Sequence, residues 1–94
     1  MPVIIQLPQA LAPDAGGQRT LVIDLERGSD LGELLRQMSL RHPALGRRIC
    51  DETGQLRRFV NVYVQEAESR TLQGLDTPVP GDAIVLVVGS VAGG

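Results

Sequence analysis

Residues Ala83 to Val88 read AIVLVV, apolar at every position and preceded by the tight-turn residues Pro80, Gly81 and Asp82. A run of this kind belongs in the middle of a sheet, with both faces covered or partly covered. At the other end of the chain Val3 to Leu7 is a second, nearly continuous apolar run, ended by Pro8. It too fits a strand covered on both faces. The two most apolar strands are therefore the first and the last, and they are expected side by side at the centre of a mixed sheet. With 94 residues there is material for one small core and no second one.

What lies between them must cross one face. Thr20 to Leu25 alternates, with Leu21, Ile23 and Leu25 on one side, and predicts a strand hairpinned to the first across a loop from Pro8 to Gln18. Asp30 is a helix N-cap, with Glu33 three residues on able to return a bond to its backbone. Leu31, Leu34, Leu35 and Met38 then form one apolar stripe, and Pro43 ends the helix near Leu40 or Arg41. Ala44, Leu45 and Ile49 suit a further short turn, closed by the polar stretch Asp51 to Gln55. Phe59 to Gln65 is the clearest strand, with Val60, Val62 and Val64 on one face and Phe59, Asn61 and Tyr63 on the other. Glu66 to Glu68 turn the chain, Leu72 and Leu75 are intermittent anchors, and the order admits one further short strand before the last. One helix over one mixed sheet is the α+β architecture called β-grasp, or ubiquitin-like. A ferredoxin-like sandwich would need a second full helix, for which Glu66 to Gly81 is poor material.

Composition excludes more than it assigns. A net charge of −2 argues against nonspecific nucleic-acid binding, which needs surplus cations. One cysteine, Cys50, and one histidine, His42, leave nothing from which to build a disulfide framework or a transition-metal site. No catalytic residue or metal ligand is assigned: Cys50 reads as a packed thiol whose thiolate Asp51 and Glu52 disfavour, and His42 as a helix cap. The absence of a cationic flank and of a spanning segment predicts a cytoplasmic protein without membrane association. All nine cations are arginine and none is lysine. Codon bias in a GC-rich genome accounts for that; so does the advantage, to a protein with a reactive end, of offering no side-chain amine.

The ending Val91, Ala92, Gly93, Gly94, after a final apolar strand, resembles the bacterial ubiquitin-like sulfur carriers of the MoaD/ThiS type, which include the molybdopterin synthase small subunit and the thiamine sulfur carrier. Arg58 to Val64, the segment Gly74 to Thr77 and the SVAGG ending are most similar to the branch serving cysteine synthesis in actinobacteria. A proline common before the tail in related carriers is replaced here by Gly89 and Ser90. The resemblance implies a β-grasp domain over residues 1–88 and a flexible diglycine tail over 89–94. It also implies a carrier, not an enzyme, with no bound cofactor. An ATP-dependent adenylating and sulfurtransferase enzyme would activate Gly94, because a carboxylate is a poor electrophile until its oxygen is turned into a leaving group. The ATP belongs to that partner. Sulfur displacing AMP leaves a thiocarboxylate, delivered to a synthase: a cysteine synthase dependent on pyridoxal phosphate (PLP), with a metalloprotease then releasing cysteine, or the molybdopterin synthase large subunit. A ubiquitin-like modifier forming isopeptide bonds is the other reading the tail admits.

For that chemistry Val91, Ala92 and Gly93 would thread a partner's active site, since glycines fit a narrow channel and six residues from Gly89 extend about 20 Å. The docking surface is expected on the sheet face away from the helix, with Phe59 and Tyr63, the only aromatic residues, as anchors and Arg57 as a polar rim. The competing role for Phe59 is to tuck beneath the loop from Pro8 to Gln18. A carrier meeting partners in turn is expected to be a monomer when free.

Overall fold

The computed structural model describes residues 1–89. Strand β1 (Pro2–Gln6) pairs antiparallel with β2 (Thr20–Asp24), Val3 opposite Ile23 and Ile5 opposite Leu21. Their connection is not an irregular loop. Gln9–Ala15 winds as a 3-10 segment that buries Leu11, Ala12 and Ala15, and Gly16, at φ 67°, turns the chain out of it. Its prolines read as loop punctuation, yet Pro8 only precedes the segment and Pro13 lies within it, and the buried Leu11, Ala12 and Ala15 roof the core beside the helices.

Helix α1 (Leu31–Arg41) buries Leu31, Leu34, Leu35 and Met38, the predicted stripe. Asp30 caps it by accepting the Glu33 N–H at 2.9 Å. The reciprocal half of the expected capping box does not form: the Glu33 carboxylate accepts from Arg36 Nε and Nη2 and from Gln37, each at 2.9 Å. A bidentate guanidinium outcompetes a backbone amide for it. After His42 the expected short turn is a seven-residue helix, α2 (Pro43–Ile49), with Pro43 in its first turn and Leu45 and Ile49 buried. Gly46 makes the close crossing with α1 possible, because a Cβ there would lie 2.7 Å from the Ser39 Cβ.

Strand β3 (Val60–Val64) is shorter than Phe59 to Gln65: Phe59 lies in the preceding turn and Gln65, at φ 58°, in the following one. Ala67–Glu68 do not turn the chain but form a two-residue strand, β4, antiparallel to β3. In the segment that follows, Leu72 is 47% exposed and anchors nothing, whereas Leu75 packs partly against the core and Thr77 and Val79 are buried. Strand β5 (Ile84–Gly89) is central in the order β2-β1-β5-β3-β4, parallel to β1 and antiparallel to β3. Gly89 is still part of the sheet, opposite Val60.

The two most apolar strands thus lie side by side at the centre, as their composition requires. They are not covered on both faces. Val85 and Val87 are completely or almost completely buried beside Val3, Ile5, Val62 and the helices, while Ile84 is 45% exposed and Leu86 and Val88 nearly as much. A domain with a single helical layer has nothing to lay over the second side of its sheet.

Candidate functional site: an open apolar sheet face beside the chain's last strand

The uncovered face is built by register. Ile4 of β1 stands opposite Val22 of β2 on one side and Ile84 of β5 on the other, an aliphatic row across three strands. The next row runs Thr20, Gln6, Leu86, Tyr63, Glu68, and beyond it Val88 faces Asn61. Side chains two apart share a face, so Ile4, Val22, Ile84, Leu86, Val88 and Tyr63 make one patch directed away from the helices. Val22 is exposed and Ile4 and Tyr63 half-buried. Asp24 and Glu68 border the patch at its two edge strands.

The sequence-derived anchors are only partly brought together. Tyr63 is on the patch, packed into the row with Leu86. Phe59 stands at its end: it precedes Val60, which pairs with Gly89, the last described residue. It is 49% exposed and does not tuck under the loop. Arg57 lies elsewhere. Its N–H bonds to the Ile49 carbonyl and its Nε to the Arg47 carbonyl at 2.7 Å, so it borders an open groove of about 590 Å³ on the helix side with Leu35, Arg36 and Cys50. The guanidinium reaching Asn61, on the patch side, is that of Arg70, which donates to Asn61 Oδ1 at 2.8 Å and to the Arg57 carbonyl at 3.0 Å. Sequence reasoning missed Arg70 and the aliphatic rows. For the rows the signal was present: in a chain with one long helix, alternate residues of an all-apolar strand must face outward.

Burial, and then the charge of Asp51, push the Cys50 thiol up, against a weaker opposing effect of Arg57. The thiolate is disfavoured. His42 caps both helices through its backbone, its N–H bonding to the Met38 carbonyl and its own carbonyl accepting from Gly46. Among the described residues no cluster of metal-ligating side chains occurs, and no helix is long and apolar enough to cross a membrane. Val91, Ala92, Gly93 and Gly94 lie outside the described residues.

A mixed five-stranded sheet in this order, one helical layer on one side and an open face on the other, defines a ubiquitin-like β-grasp protein. The ThiS family model matches residues 5–94, and the chain belongs to that family. It is 31% identical to the sulfur carrier protein CysO of Mycobacterium tuberculosis, in an alignment of 96 residues covering all of both chains. The structure of the Amycolatopsis orientalis BexX/CysO complex superposes with a TM-score of 0.83 at 28% identity, covering 98% of this chain and 99% of that one. SAMP1 of Haloferax volcanii superposes over the whole of both chains at 0.84 with 24% identity, which shows the fold alone. The protein is a small ubiquitin-like sulfur carrier, not a catalyst.

Proposed function

We propose that this carrier serves cysteine biosynthesis through a thiocarboxylate at Gly94. An ATP-dependent activating enzyme adenylates the Gly94 carboxylate, sulfur displaces AMP, and a PLP-dependent cysteine synthase takes the sulfur, after which a metalloprotease restores the carrier. The chain itself binds no cofactor. The sheet face carrying Tyr63, Leu86 and Ile84 docks on each partner in turn, Phe59 meets the partner at the root of the tail, and Val91, Ala92 and Gly93 enter its active site. Free carrier is monomeric, leaving that face available.

The observation that carries this reading is the position of β5. The strand that ends in the tail is also the centre of the open apolar face, so one rigid element sets the distance between where a partner grips and where Gly94 arrives. The full-length likeness to CysO favours cysteine over molybdopterin as the destination, because the molybdopterin-type neighbour, a putative molybdopterin converting factor subunit of Pyrococcus furiosus, is only 19% identical. Incubation with the activating enzyme, ATP and a sulfur donor is expected to add about 16 Da by intact mass, sulfur in place of oxygen. A chain that keeps its mass under those conditions overturns the reading.

A further inference from the structure

An activated acyl end is an electrophile, and it travels on a protein that carries nucleophiles of its own. Amines are the acceptors that matter most, because the amide they form does not revert. Not one of the 94 residues is lysine, and all nine cations are arginine, whose guanidinium stays protonated at neutral pH. The amino group of Met1 is the amine that remains. It donates to Asp24 Oδ1 at 2.8 Å and to the Leu25 carbonyl at 2.9 Å, two contacts that tether it at the edge of the sheet.

Topology removes it a second time. Strand β1 runs parallel to β5 with Ile4 beside Ile84, which puts Met1 level with Gly81 and eight residues back from Gly89. At the rise of a strand that is about 26 Å. Residues 90–94 span at most about 17 Å fully extended, so the chain's own end falls short of its own amine. A second nucleophile, the Cys50 thiol, is half-buried at the end of α2, and burial and then Asp51 disfavour its thiolate.

We propose that this body is built to be inert toward acyl transfer from its own activated end and from that of a neighbouring copy. The lysine-free surface and the tethered, distant Met1 amine determine that the acyl group goes only to an acceptor supplied by a partner. The feature is a specificity determinant spread over the whole surface. It rests on the reading of Gly94 as the activated end. In the reaction it prevents, an amine nitrogen attacks the Gly94 carbonyl carbon, the bond from that carbon to the leaving group breaks, the leaving group departs as AMP or a thiol, and the nitrogen's proton goes to solvent as the amide forms.

The test installs the electrophile chemically, so it does not depend on any activating enzyme: the 94-residue chain is prepared as a Gly94 thioester of a small thiol. Left at mildly alkaline pH, the unaltered chain is expected to decay by hydrolysis alone, to the free carboxylate. Arg58→Lys places an amine on an exposed position two residues from Val60, the partner of Gly89, within about 12 Å of the tail's root. It should give a cyclised product about 18 Da lighter than the free-carboxylate chain, in at least tenfold excess over the unaltered chain. Arg27→Lys lies past the opposite end of β2, more than about 25 Å away, and should not cyclise. Cyclisation or self-linked dimers from the unaltered chain at the Arg58→Lys level, or none from Arg58→Lys, overturns the proposal. The tether is read separately on the free acid with an acetylating N-hydroxysuccinimide ester. Asp24→Ala should label at Met1 at least fivefold faster, and equal rates would show that the ion pair protects nothing.

Discussion

At the scale of single residues, two side-chain environments make opposite demands. Gly46 is required because α2 crosses α1 at Ser39, where any Cβ collides with that side chain and approaches its Cα within 3.1 Å. Gly46→Ala is expected to cost about 1–3 kcal/mol, through forced separation of two packed helices. Gly32, in the first turn of α1, has its nearest neighbours at 3.4 Å. Gly32→Ala should be at least as stable as the parent, because alanine recovers helix propensity there. Urea unfolding of the two variants checks both signs. Glu33 works through charge: bonds from Arg36 first and Gln37 second hold its carboxyl at about 2, below an ordinary value of 4.5. A group whose folded value is depressed contributes stability that is complete above its unfolded value and is lost as pH falls through the folded one. Stability should therefore decline between about pH 5 and pH 2, Asp24 and Asp51 shifting in the same direction. In Glu33→Gln that decline should be shallower, as read by denaturant midpoints across the range; the carboxyl is exposed, so the change is small.

At the scale of the strand, one alternation decides what supports the fold and what is free to bind. Ile5 and Ile84 are the same residue type on adjacent central strands, one completely buried and the other on the open face. Ile5→Ala is expected to cost about 2–5 kcal/mol and Ile84→Ala under about 1, by denaturant unfolding. Tyr63 belongs with Ile84. Tyr63→Ala should weaken binding to the activating enzyme by at least about 1 kcal/mol in calorimetry, with a smaller stability loss. A large stability loss with unchanged affinity would assign the ring to the core. The alternation of Val60, Val62 and Val64 was legible from residue type alone and named the inner face of β3 correctly. The outer face of β5 was not, because six apolar residues in a row carry no period; only the count of layers reveals that half of them look outward. Arg57 could not be placed from sequence for a related reason. It lies three residues before Val60, in a turn, where no strand register passes its direction along. The contact with the Arg47 carbonyl, ten residues back, determines it.

At the scale of the whole molecule, the proposed function divides the work between the folded body and residues 90–94. Gly94→Ala alters a residue beyond the last strand, so unfolding should be unchanged. Adenylation should fall sharply if the end enters a channel that admits no Cβ, and the pairing of normal thermal unfolding with lost activation is the measurement. From the sequence alone came the elements that local chemistry dictates: the helix from its cap and stripe, the alternating strands, the placement of the most apolar strands at the centre, and the resemblance of the tail. These follow from periodicity and capping, which act within a few residues and can be read along the chain. Tertiary structure alone decided that Ala67–Glu68 pairs with β3, that Gln9–Ala15 winds up to cover the core, which residues of β5 look outward, and that Met1 sits at the end opposite Gly89. Each depends on what arrives from a distant part of the chain: the apolar runs of β1 and β5 bring those strands together, but the register that sets Ile4 beside Ile84 is written near neither of them.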